Sequence, residues 1–430
     1  MNPYQQYMYS YPHKTAYGAL EGINLADYMG RLADRECSLY FHIPFCQSKC
    51  GYCNLFSVTG QSEGRMGQYI DAMECHARQV SEILPESIVF TDLTIGGGTP
   101  LMLSVLQMER VFRIAEEQMG FDARGRQTVV ETSPAQTTEE KLDLLKEHHV
   151  TRISMGVQSF YEEELMALNR SHTVGQVRCA MEMIMNVGFS CVNLDLIYGI
   201  PGQTEESFIS SIEQALAYEP EELFIYPLYI KKDTYLSAKA VRRPEAAWQM
   251  YLTAREYLKE RGYVPYSMRR FVRDGEISGL SGCGFDNTIS IGCGGRTYID
   301  ELHFCMPYGV RQSQCRKILD QYIETADHNV IRHGFILSEE EQRRRFVIKN
   351  ILFQCGLSKV DYRKYFMTEP ELDFPELADW IQKGYAYEDG EKIRLTEKGF
   401  SLSDHLGPML ISNEVRRKMV HSEISPMLEG

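Results

Sequence analysis

The 430-residue chain has no long apolar stretch and carries fewer basic than acidic residues. No segment approaches the roughly 18 consecutive apolar residues of a membrane-spanning helix, so we expect no membrane partner. The chain starts without the basic and apolar region of an export signal, which favours a cytoplasmic location. With 45 Lys and Arg against 59 Asp and Glu, its net charge of -14 argues against a nucleic-acid partner.

Three of the twelve cysteines lie within eight residues, at Cys46, Cys50 and Cys53. They follow the apolar run 39–43, which places them on a loop at a strand end. Three thiols cannot all pair locally as disulfides, and nine scattered cysteines suit a reducing compartment. Zinc would need a fourth protein ligand, and the nearest candidate, His42, would lie on the strand. An iron-sulfur cluster is favoured, because a cluster with fewer cysteines than irons leaves one iron open.

The spacing Cys-x3-Cys-x2-Cys, with Tyr52 before the last cysteine and Tyr40 ahead of the motif, resembles the radical S-adenosylmethionine (SAM) superfamily. Within it the chain is similar to the oxygen-independent coproporphyrinogen III oxidases and their relatives. The resemblance implies a 4Fe-4S cluster on the three cysteines, with an open iron that binds SAM. An electron from a low-potential donor such as flavodoxin or ferredoxin would release a 5′-deoxyadenosyl radical, and the cofactor would supply this chemistry.

Apolar runs alternate with stretches of helical periodicity between residues 39 and 229. Capping-box patterns predict helix starts at Ser104, Thr137 and Thr173. Six strands separated by helices predict parallel βαβ units, and the resemblance implies a partial (β/α)6 barrel. In such α/β folds ligands gather at the carboxyl ends of the strands. The predicted strands are 39–43, 88–95, 128–132, 152–157, 191–198 and 223–228.

A glycine tract follows the second predicted strand, as Gly96, Gly97 and Gly98 before Thr99 and a proline. Missing side chains let backbone N–H groups approach an anionic or polar ligand, although a tight turn is the simpler explanation. The segment is similar to the family's GGGTP motif. That motif receives the amino group of SAM.

Four polar residues lie at the ends of later strands or just beyond them, namely Glu131, Gln158, Arg170 and Asp195. Singly, each is explained as a helix cap or a solvated side chain. Together they match the family's E-x-x-P, G-V-Q-S-F, L-N-R-x-H-T and N-x-D-L-I-x-G-x-P-G-Q-T segments. The resemblance implies a SAM pocket that Tyr40 completes. Arg170 can fork onto a carboxylate, whereas Glu131 and Asp195 can accept from an ammonium or a ribose hydroxyl.

A second SAM site is an open alternative. Some members of the family bind two SAM molecules, and Tyr52, Gly96 and Ile197 occupy positions that could line the second site. The second SAM would act as another radical source or as a methyl donor. Equally, Tyr52 could simply shield the cluster from water.

The length predicts two or three structural units. We expect an N-terminal arm over residues 1–38, a radical SAM barrel over 39–230 and a barrel extension over 231–335. By resemblance, residues 336–430 form a smaller, mainly helical domain, a winged-helix-like cap over the substrate side. Disorder is the default expectation for the start of the arm, although its Lys14 could touch substrate.

Two features of the extension have open interpretations. Arg269 and Arg270 belong to a basic, aromatic segment that either meets substrate carboxylates or forms a solvated strand edge. Cys283 and Cys293 stand in a segment that resembles the family's glycine-rich L-G-x-G-x-x-A-x-S stretch. They are reactive thiols, ligands or, most simply, buried thiols.

Three functions compete for this sequence. The first is oxidative decarboxylation of a tetrapyrrole, and the second is radical methylation or carbon-carbon bond formation on a peptide-derived or other secondary metabolite. The third, haem chaperoning, ranks last, because such relatives carry H-N-x-x-Y-W where this chain has the segment 266–271. We expect a radical SAM oxidoreductase or transferase with a small-molecule or peptide-derived substrate.

Overall fold

The strands and helices are those of a computed structural model that describes residues 2–273 and 286–421. The strands are β1 (Gly18–Asn24), β2 (Glu36–Ile43), β3 (Phe45–Cys46), β4 (Val58–Thr59), β5 (Val89–Gly97), β6 (Gln127–Thr132), β7 (Arg152–Gln158), β8 (Cys191–Tyr198), β9 (Glu222–Pro227), β10 (Tyr263–Pro265), β11 (Arg270–Arg273), β12 (Thr288–Ile291), β13 (Thr297–Ile299), β14 (Leu302–Phe304), β15 (Val330–Ile336), β16 (Leu357–Ser358), β17 (Ala386–Asp389) and β18 (Lys392–Leu395). The α-helices are α1 (Ala26–Met29), α2 (Glu63–Ser81), α3 (Val105–Arg113), α4 (Glu139–Glu147), α5 (Glu162–Ala167), α6 (Val174–Val187), α7 (Glu205–Leu216), α8 (Tyr235–Ala238), α9 (Ala247–Glu260), α10 (Gln312–Glu324), α11 (Glu339–Ile351), α12 (Lys359–Phe366), α13 (Pro370–Asp373), α14 (Pro375–Gln382), α15 (Glu397–Ser401), α16 (Ser403–Leu406) and α17 (Asn413–His421).

A parallel sheet forms the centre of the molecule. β2, β5, β6, β7, β8 and β9 lie side by side in chain order, and each neighbouring pair is parallel. Helices connect successive strands, so all six carboxyl ends lie at one edge of the sheet. This mixed α/β architecture agrees with the fold class expected from the sequence. It brings the loops after the six strands together.

The sheet continues beyond the six predicted strands. β12 pairs parallel to β2, with Ile291 opposite Phe41, and β13, β14, β15 and β1 extend that side in antiparallel fashion. On the other side, β11 and β10 follow β9, also antiparallel. β12, which belongs to the expected barrel extension, therefore lies directly beside β2, the strand that leads into the cysteine loop.

Side-chain caps begin several of the connecting helices. Ser104 and Thr173 form the expected capping boxes with Gln107 and Gln176. The expected box at Thr137 is wrong, because α4 begins after Thr138. The Thr137 hydroxyl instead donates to the Ser133 carbonyl oxygen at 3.1 Å.

The basic segment of β11 is neither a solvated edge nor a substrate surface. Arg270 is buried and pairs with Glu222, which also accepts hydrogen bonds from Arg152. Arg269 is buried as well and pairs with Asp404. Both guanidinium groups are therefore neutralised inside the fold, as buried charges require.

The N-terminal arm is ordered, contrary to the default expectation for a chain terminus. Tyr4 and Tyr11 are buried, and the Tyr4 hydroxyl donates to the Ala247 carbonyl oxygen at 3.2 Å. The Tyr11 hydroxyl donates to Glu341 of α11. The arm is thus fixed both to α9 of the expected extension and to the C-terminal region.

A separate apolar core holds the C-terminal region together. β16, β18 and β17 form a small antiparallel sheet, and the fully buried Trp380 of α14 belongs to an apolar cluster with residues of α11, α12, α15, α16 and α17. The winged-helix-like assignment and the domain boundaries stay predictions. Within the described ranges, no helix is both long and apolar enough to cross a bilayer.

Candidate functional site

The cysteine loop begins where the first parallel strand ends. β2 ends at Ile43, and β3 then pairs with β4. The two ends of the intervening cysteine loop are therefore held side by side. The Val58 N–H donates to the Pro44 carbonyl oxygen at 2.7 Å and closes the base of the loop. Cys46, Cys50 and Cys53 all lie half-buried on this loop.

Backbone contacts fix the middle of the loop. The Gly51 N–H donates to the Leu168 carbonyl oxygen at 2.8 Å, and the Leu236 N–H donates to the Gly51 carbonyl oxygen at 2.9 Å. A Cβ at position 51 would lie 3.0 Å from that Leu168 oxygen. Glycine therefore permits this close approach without a shift of Leu168 or Leu236.

The thiols have polar neighbours from other strand ends. Arg170 donates from a terminal nitrogen to Cys50 Sγ at 2.9 Å, and the Thr99 hydroxyl lies 3.7 Å from Cys46 Sγ. Burial, together with the nearby Cys53 thiol, raises the pKa of Cys46 to about 12. Three thiolates crowded into one loop need a bound cation to stay ionised, so the donor set fits a metal centre.

The geometry disfavours zinc. Both ring nitrogens of His42, the nearest fourth ligand, are engaged, with Nε2 3.1 Å from the Phe56 carbonyl oxygen and Nδ1 3.1 Å from the Tyr40 hydroxyl. Among residues 2–273 and 286–421, no three His, Cys, Asp or Glu side chains converge as ligands of one ion. A cluster differs, because each cysteine binds a different iron and the thiolates stand farther apart.

The glycine tract at the end of β5 forms a cradle beside the cysteines. A Cβ on Gly98 would lie 2.8 Å from Cys46 Sγ, and one on Gly96 would lie 2.9 Å from the Glu131 carboxyl carbon. Gly97 has a φ of 122°, a conformation that side chains other than glycine rarely adopt. Its N–H donates to Glu131 Oε2 at 2.9 Å.

Two acidic side chains near this cradle come from β6 and β8, the strands on either side of β7. Burial raises the pKa of Glu131 to about 7 and that of Asp195 to about 6. Asn193 partly offsets the second shift by donating to Asp195 Oδ1 at 2.9 Å. A cationic ligand would stabilise both carboxylates, and SAM carries an ammonium and a sulfonium.

Arg170 supplies the opposite charge. One terminal nitrogen donates to the Gly156 carbonyl oxygen, and the Arg170 Nε is buried with no hydrogen-bond partner among the residues that the structure describes. A Cβ on Gly156 would lie 2.6 Å from the Gln158 amide nitrogen and 3.3 Å from Arg170. The bare backbone at this position therefore leaves room for both side chains. An unsatisfied buried donor beside a cavity marks a place for a polar ligand.

These side chains open into one cavity of about 560 Å³. Its size is that of a small-molecule site. Twelve of the fourteen residues predicted for the cluster and SAM line it: Cys46, Cys50, Tyr52, Cys53, Gly97, Gly98, Thr99, Glu131, Gln158, Arg170, Asp195 and Ile197. Their binding roles stay predictions.

Two predicted residues do not reach the cavity. The Tyr40 hydroxyl is bonded to His42, and Gly96 packs against the Glu131 carboxylate. Gly96 thus lies behind Glu131, a residue that lines the cavity. Tyr52 and Ile197, the other candidates for a second SAM site, line the cavity and belong to one small apolar cluster.

Several cavity residues have no counterpart among the predicted site residues. The N-terminal arm contributes tyrosines and basic side chains to the cavity. Further tyrosines and a lysine come from the end of β9 and the residues just after it, and Arg296 comes from the glycine-rich segment. The sequence contains part of this signal, because Tyr226 lies near the carboxyl end of the sixth strand, and Tyr229 and Lys231 follow that strand. These additional lining residues include Gln6, Tyr7, Tyr9, His13, Tyr226, Tyr229, Lys231 and Arg296. Lys14, the one arm residue that the sequence offered as a substrate contact, lines the cavity as well.

The additional residues give the cavity a basic region. Lys14 Nζ lies 3.3 Å from the centre of the Tyr308 ring, and the Arg296 guanidinium lies 4.9 Å from that of Tyr9. Burial first, and then the charges of Lys14, Lys231 and Arg296, lower the pKa of His13 well below its usual range. The cavity therefore has an acidic side near the strand ends and a basic side near the arm.

The structure describes only one of the two cysteines of the glycine-rich segment. Cys293 is buried, and its N–H donates to the Tyr69 hydroxyl oxygen at 3.2 Å. Burial raises the pKa of its thiol, as for a structural cysteine. Cys283 lies outside the described residues.

Comparisons with known proteins identify relatives of this chain. The model of the Radical SAM superfamily matches residues 40–215. The chain is 28% identical to the heme chaperone HemW of Lactococcus lactis, covering 88% of this chain and 98% of that protein. It is 26% identical to the oxygen-independent coproporphyrinogen III oxidase of Escherichia coli, covering 92% and 91%.

A solved structure extends the likeness to the fold. The chain superposes on coproporphyrinogen III oxidase (HemN) of Escherichia coli with a TM-score of 0.81, over 94% of this chain and 96% of that chain. The two sequences are 23% identical in this comparison, which establishes a common fold. Sequence relatives of two kinds, an oxidase and a chaperone, leave the activity to be decided by the site.

Proposed function

Because this chain belongs to the radical SAM superfamily, in its group of HemN- and HemW-like proteins, we propose that it is an enzyme that cleaves SAM reductively and acts on a carboxylate-bearing substrate. One observation carries the proposal. The three cysteines, the glycine cradle, Arg170 and two acidic side chains line the same cavity as a basic region made by other parts of the chain.

The residues fit the cofactors that this superfamily implies. Cys46, Cys50 and Cys53 would hold a 4Fe-4S cluster, and SAM would lie between the glycine cradle and Asp195. When bound, the cluster and SAM supply a one-electron reduction that breaks a carbon-sulfur bond and yields a 5′-deoxyadenosyl radical. The protein's own contribution is to bind, orient and shield.

The charges near the cysteines suit that contribution. Arg170 keeps a permanent positive charge beside Cys50 and can pair with the carboxylate of SAM. Glu131 and Asp195 gain stability as anions when a cation binds next to them, because burial disfavours their charge in its absence. Binding of a cationic ligand would therefore offset the desolvation cost of ionising Glu131 and Asp195.

The basic region supports an anionic, aromatic substrate. Lys14, Lys231 and Arg296 bring positive charge to the side of the cavity lined by Tyr7 and Tyr9. Propionate groups of a tetrapyrrole would pair with the cations while its rings pack on the tyrosines. We therefore favour coproporphyrinogen III oxidase-like chemistry, which converts propionate side chains by oxidative decarboxylation.

Two other functions give different products. A methyltransferase or carbon-carbon bond-forming enzyme would use the second SAM position near Tyr52 and Ile197, and a methyltransferase would release S-adenosylhomocysteine. A haem chaperone, as the similarity to HemW suggests, would bind haem. The basic region suits haem propionates as well, so product analysis must separate the three.

The first experiment tests SAM cleavage. Anaerobically reconstituted protein with dithionite is expected to convert SAM to methionine and 5′-deoxyadenosine. Cys46→Ser, Cys50→Ser and Cys53→Ser should each abolish this, whereas Cys179→Ser and Cys355→Ser, at exposed cysteines, should leave it unchanged. Full turnover in all three loop variants would refute the proposal.

The second experiment identifies the reaction. Consumption of coproporphyrinogen III with release of carbon dioxide is expected, and Lys14→Ala combined with Arg296→Ala should raise the KM for this substrate at least about tenfold, since each lost charge pair costs of the order of 1 kcal/mol or more. Accumulation of S-adenosylhomocysteine would indicate a transferase instead. Haem binding without SAM cleavage would indicate a chaperone.

A further inference from the structure

A histidine of the arm has a fixed pattern of hydrogen bonds beside the cavity. His13 is only 8% exposed, and its side chain caps the short turn Lys14–Ala16 by accepting from the Thr15 N–H, with Nδ1 and the backbone nitrogen 3.3 Å apart. The Thr15 hydroxyl lies 2.8 Å from the same ring nitrogen. Because a backbone N–H can only donate, Nδ1 of His13 must be the ring nitrogen without a proton.

The other ring nitrogen of His13 therefore carries the proton. Burial first, and then the charges of Lys14, Lys231 and Arg296, lower the pKa of His13 well below its usual range, so the ring is neutral. A neutral imidazole has one N–H, which here must be on Nε2. Nε2 lies 3.2 Å from the Tyr9 hydroxyl oxygen. His13 thus donates to Tyr9, and the hydroxyl proton of Tyr9 is directed to a different acceptor.

Ring contacts hold Tyr9 at the basic side of the cavity. Its ring centre lies 5.3 Å from that of His13 and 5.6 Å from that of Tyr7, with interplanar angles of 75° and 57°. The Arg296 guanidinium lies 4.9 Å from the Tyr9 ring centre, and the Arg269 guanidinium lies 3.8 Å from that of Tyr7. The half-buried Tyr9 is therefore part of a preformed wall of the cavity.

These neighbours make the Tyr9 hydroxyl a strong hydrogen-bond donor. A hydroxyl whose oxygen already accepts a hydrogen bond is polarised and donates a stronger one. The positive charge of Arg296 near the ring favours the same polarisation. An anion gains most from such a donor, because hydrogen bonds to charged acceptors are shorter and about twice as strong as neutral ones. The arrangement therefore suits a carboxylate in the cavity.

We propose that the Tyr9 hydroxyl, oriented by His13, donates a hydrogen bond to a propionate of the substrate, a role that rests on the proposed function. Lys14 and Arg296, which line the same cavity, supply the charge that attracts the carboxylate. Tyr9 fixes where the carboxylate lies, because a hydroxyl with a directed proton selects one orientation of its acceptor. His13 acts through Tyr9 and is a positioning residue.

Binding of tetrapyrroles that carry propionates is the primary test. Coproporphyrin III and haem are titrated into protein purified without its cluster, so that the readout does not depend on turnover. Tyr9→Phe should weaken the Kd about tenfold, the effect of losing one hydrogen bond to a charged group. Tyr257→Phe removes a hydroxyl that bonds Glu213 at the surface at 2.6 Å and should stay within about twofold of the wild type.

A double-mutant cycle tests the positioning role of His13. His13→Asn keeps an acceptor for the Thr15 N–H, because Asn is a good capping residue, but its shorter side chain does not reach Tyr9. It should weaken the Kd about fivefold, and Tyr9→Phe/His13→Asn should be no weaker than Tyr9→Phe alone, because His13 acts through the hydroxyl that Tyr9→Phe removes. His13→Gln restores an amide N–H near the place of Nε2 and should recover most of the affinity.

Wild-type affinity in Tyr9→Phe would overturn the proposal, and so would failure of the wild type to bind either tetrapyrrole. Losses that multiply in the double variant, or equal losses in His13→Gln and His13→Asn, would overturn the positioning role of His13.

Two further measurements separate this role from damage to the cavity and from the proposed function. After reconstitution, Tyr9→Phe should bind SAM within about twofold of the wild type, and a tenfold loss of SAM affinity as well would overturn the assignment of Tyr9 to the substrate. Absence of dithionite-driven SAM cleavage in the wild type would overturn the proposed function instead, and the titrations of protein without its cluster would still decide the role of Tyr9.

Discussion

Arg269 and Asp404 form a buried ion pair although 135 residues separate them in the chain. Asp404 also accepts a hydrogen bond from the hydroxyl of Tyr229, which lines the cavity, and its carbonyl oxygen accepts one from the Gln6 N–H at 3.1 Å. Among the residues that the structure describes, none after Arg296 lines the cavity. The C-terminal region therefore positions the cavity wall from behind.

Asp404→Ala should destabilise the protein by about 3–5 kcal/mol, because it leaves Arg269 charged and buried without its partner. Urea unfolding followed by circular dichroism measures the loss. Glu414→Ala, which breaks the exposed pair with Lys418, is the control and should cost at most about 1 kcal/mol. Equal effects of the two variants would contradict the structural role of Asp404.

Arg170→Gln should lower the affinity for SAM about tenfold or more, since charge-assisted hydrogen bonds contribute about 1.5–3 kcal/mol. Equilibrium dialysis with labelled SAM gives the Kd, and the iron content of the same samples shows whether the cluster is intact. Arg178→Gln removes an Arg that bonds Gln214 at the surface and serves as the matched control. Unchanged affinity in Arg170→Gln would exclude Arg170 from the SAM site.

Gly98→Ala should disturb the cysteine loop, because its Cβ would lie 2.7 Å from the Phe45 carbonyl oxygen and 2.8 Å from Cys46 Sγ. We expect a lower iron and sulfide content after reconstitution, together with weaker SAM binding. Gly67→Ala, in the middle of α2 with open space around it, should keep both and gain up to about 1 kcal/mol of stability from helix propensity. Full iron content in Gly98→Ala would show that the loop tolerates the methyl group.

Local sequence patterns are sufficient to predict the strands of the parallel sheet. Its strands are buried on both faces, so they appear as continuous apolar runs, and the run 191–198 coincides with β8. Residues in the carboxyl-terminal parts of these runs meet at one edge of the sheet. Glu131 and Asp195, which the family resemblance assigns to one site although they are distant in sequence, therefore line one cavity.

Tertiary contacts decided what the sequence did not reveal. Arg269 and Arg270 have partners 135 and 48 residues away, and no local pattern marks a buried ion pair of that kind. The arm is ordered by contacts such as that of Tyr11 with Glu341, 330 residues away. The sequence therefore indicates Lys14 alone as a substrate contact and does not reveal the basic region that surrounds it.

The buried carboxyl of Glu131 should make stability depend on pH. Burial raises its pKa from 4.5 to about 7, so in this window the folded state binds more protons than the unfolded state. Stability from this group is thus fully present below pH 4.5 and falls as the pH rises through 7. Glu131→Gln, which stays neutral, should consequently cost about 2 kcal/mol less at pH 8 than at pH 5, relative to the wild type. Urea unfolding at both pH values measures the difference, with exposed Glu117→Gln as the control, and a cost that is independent of pH would show that Glu131 is not strained by burial.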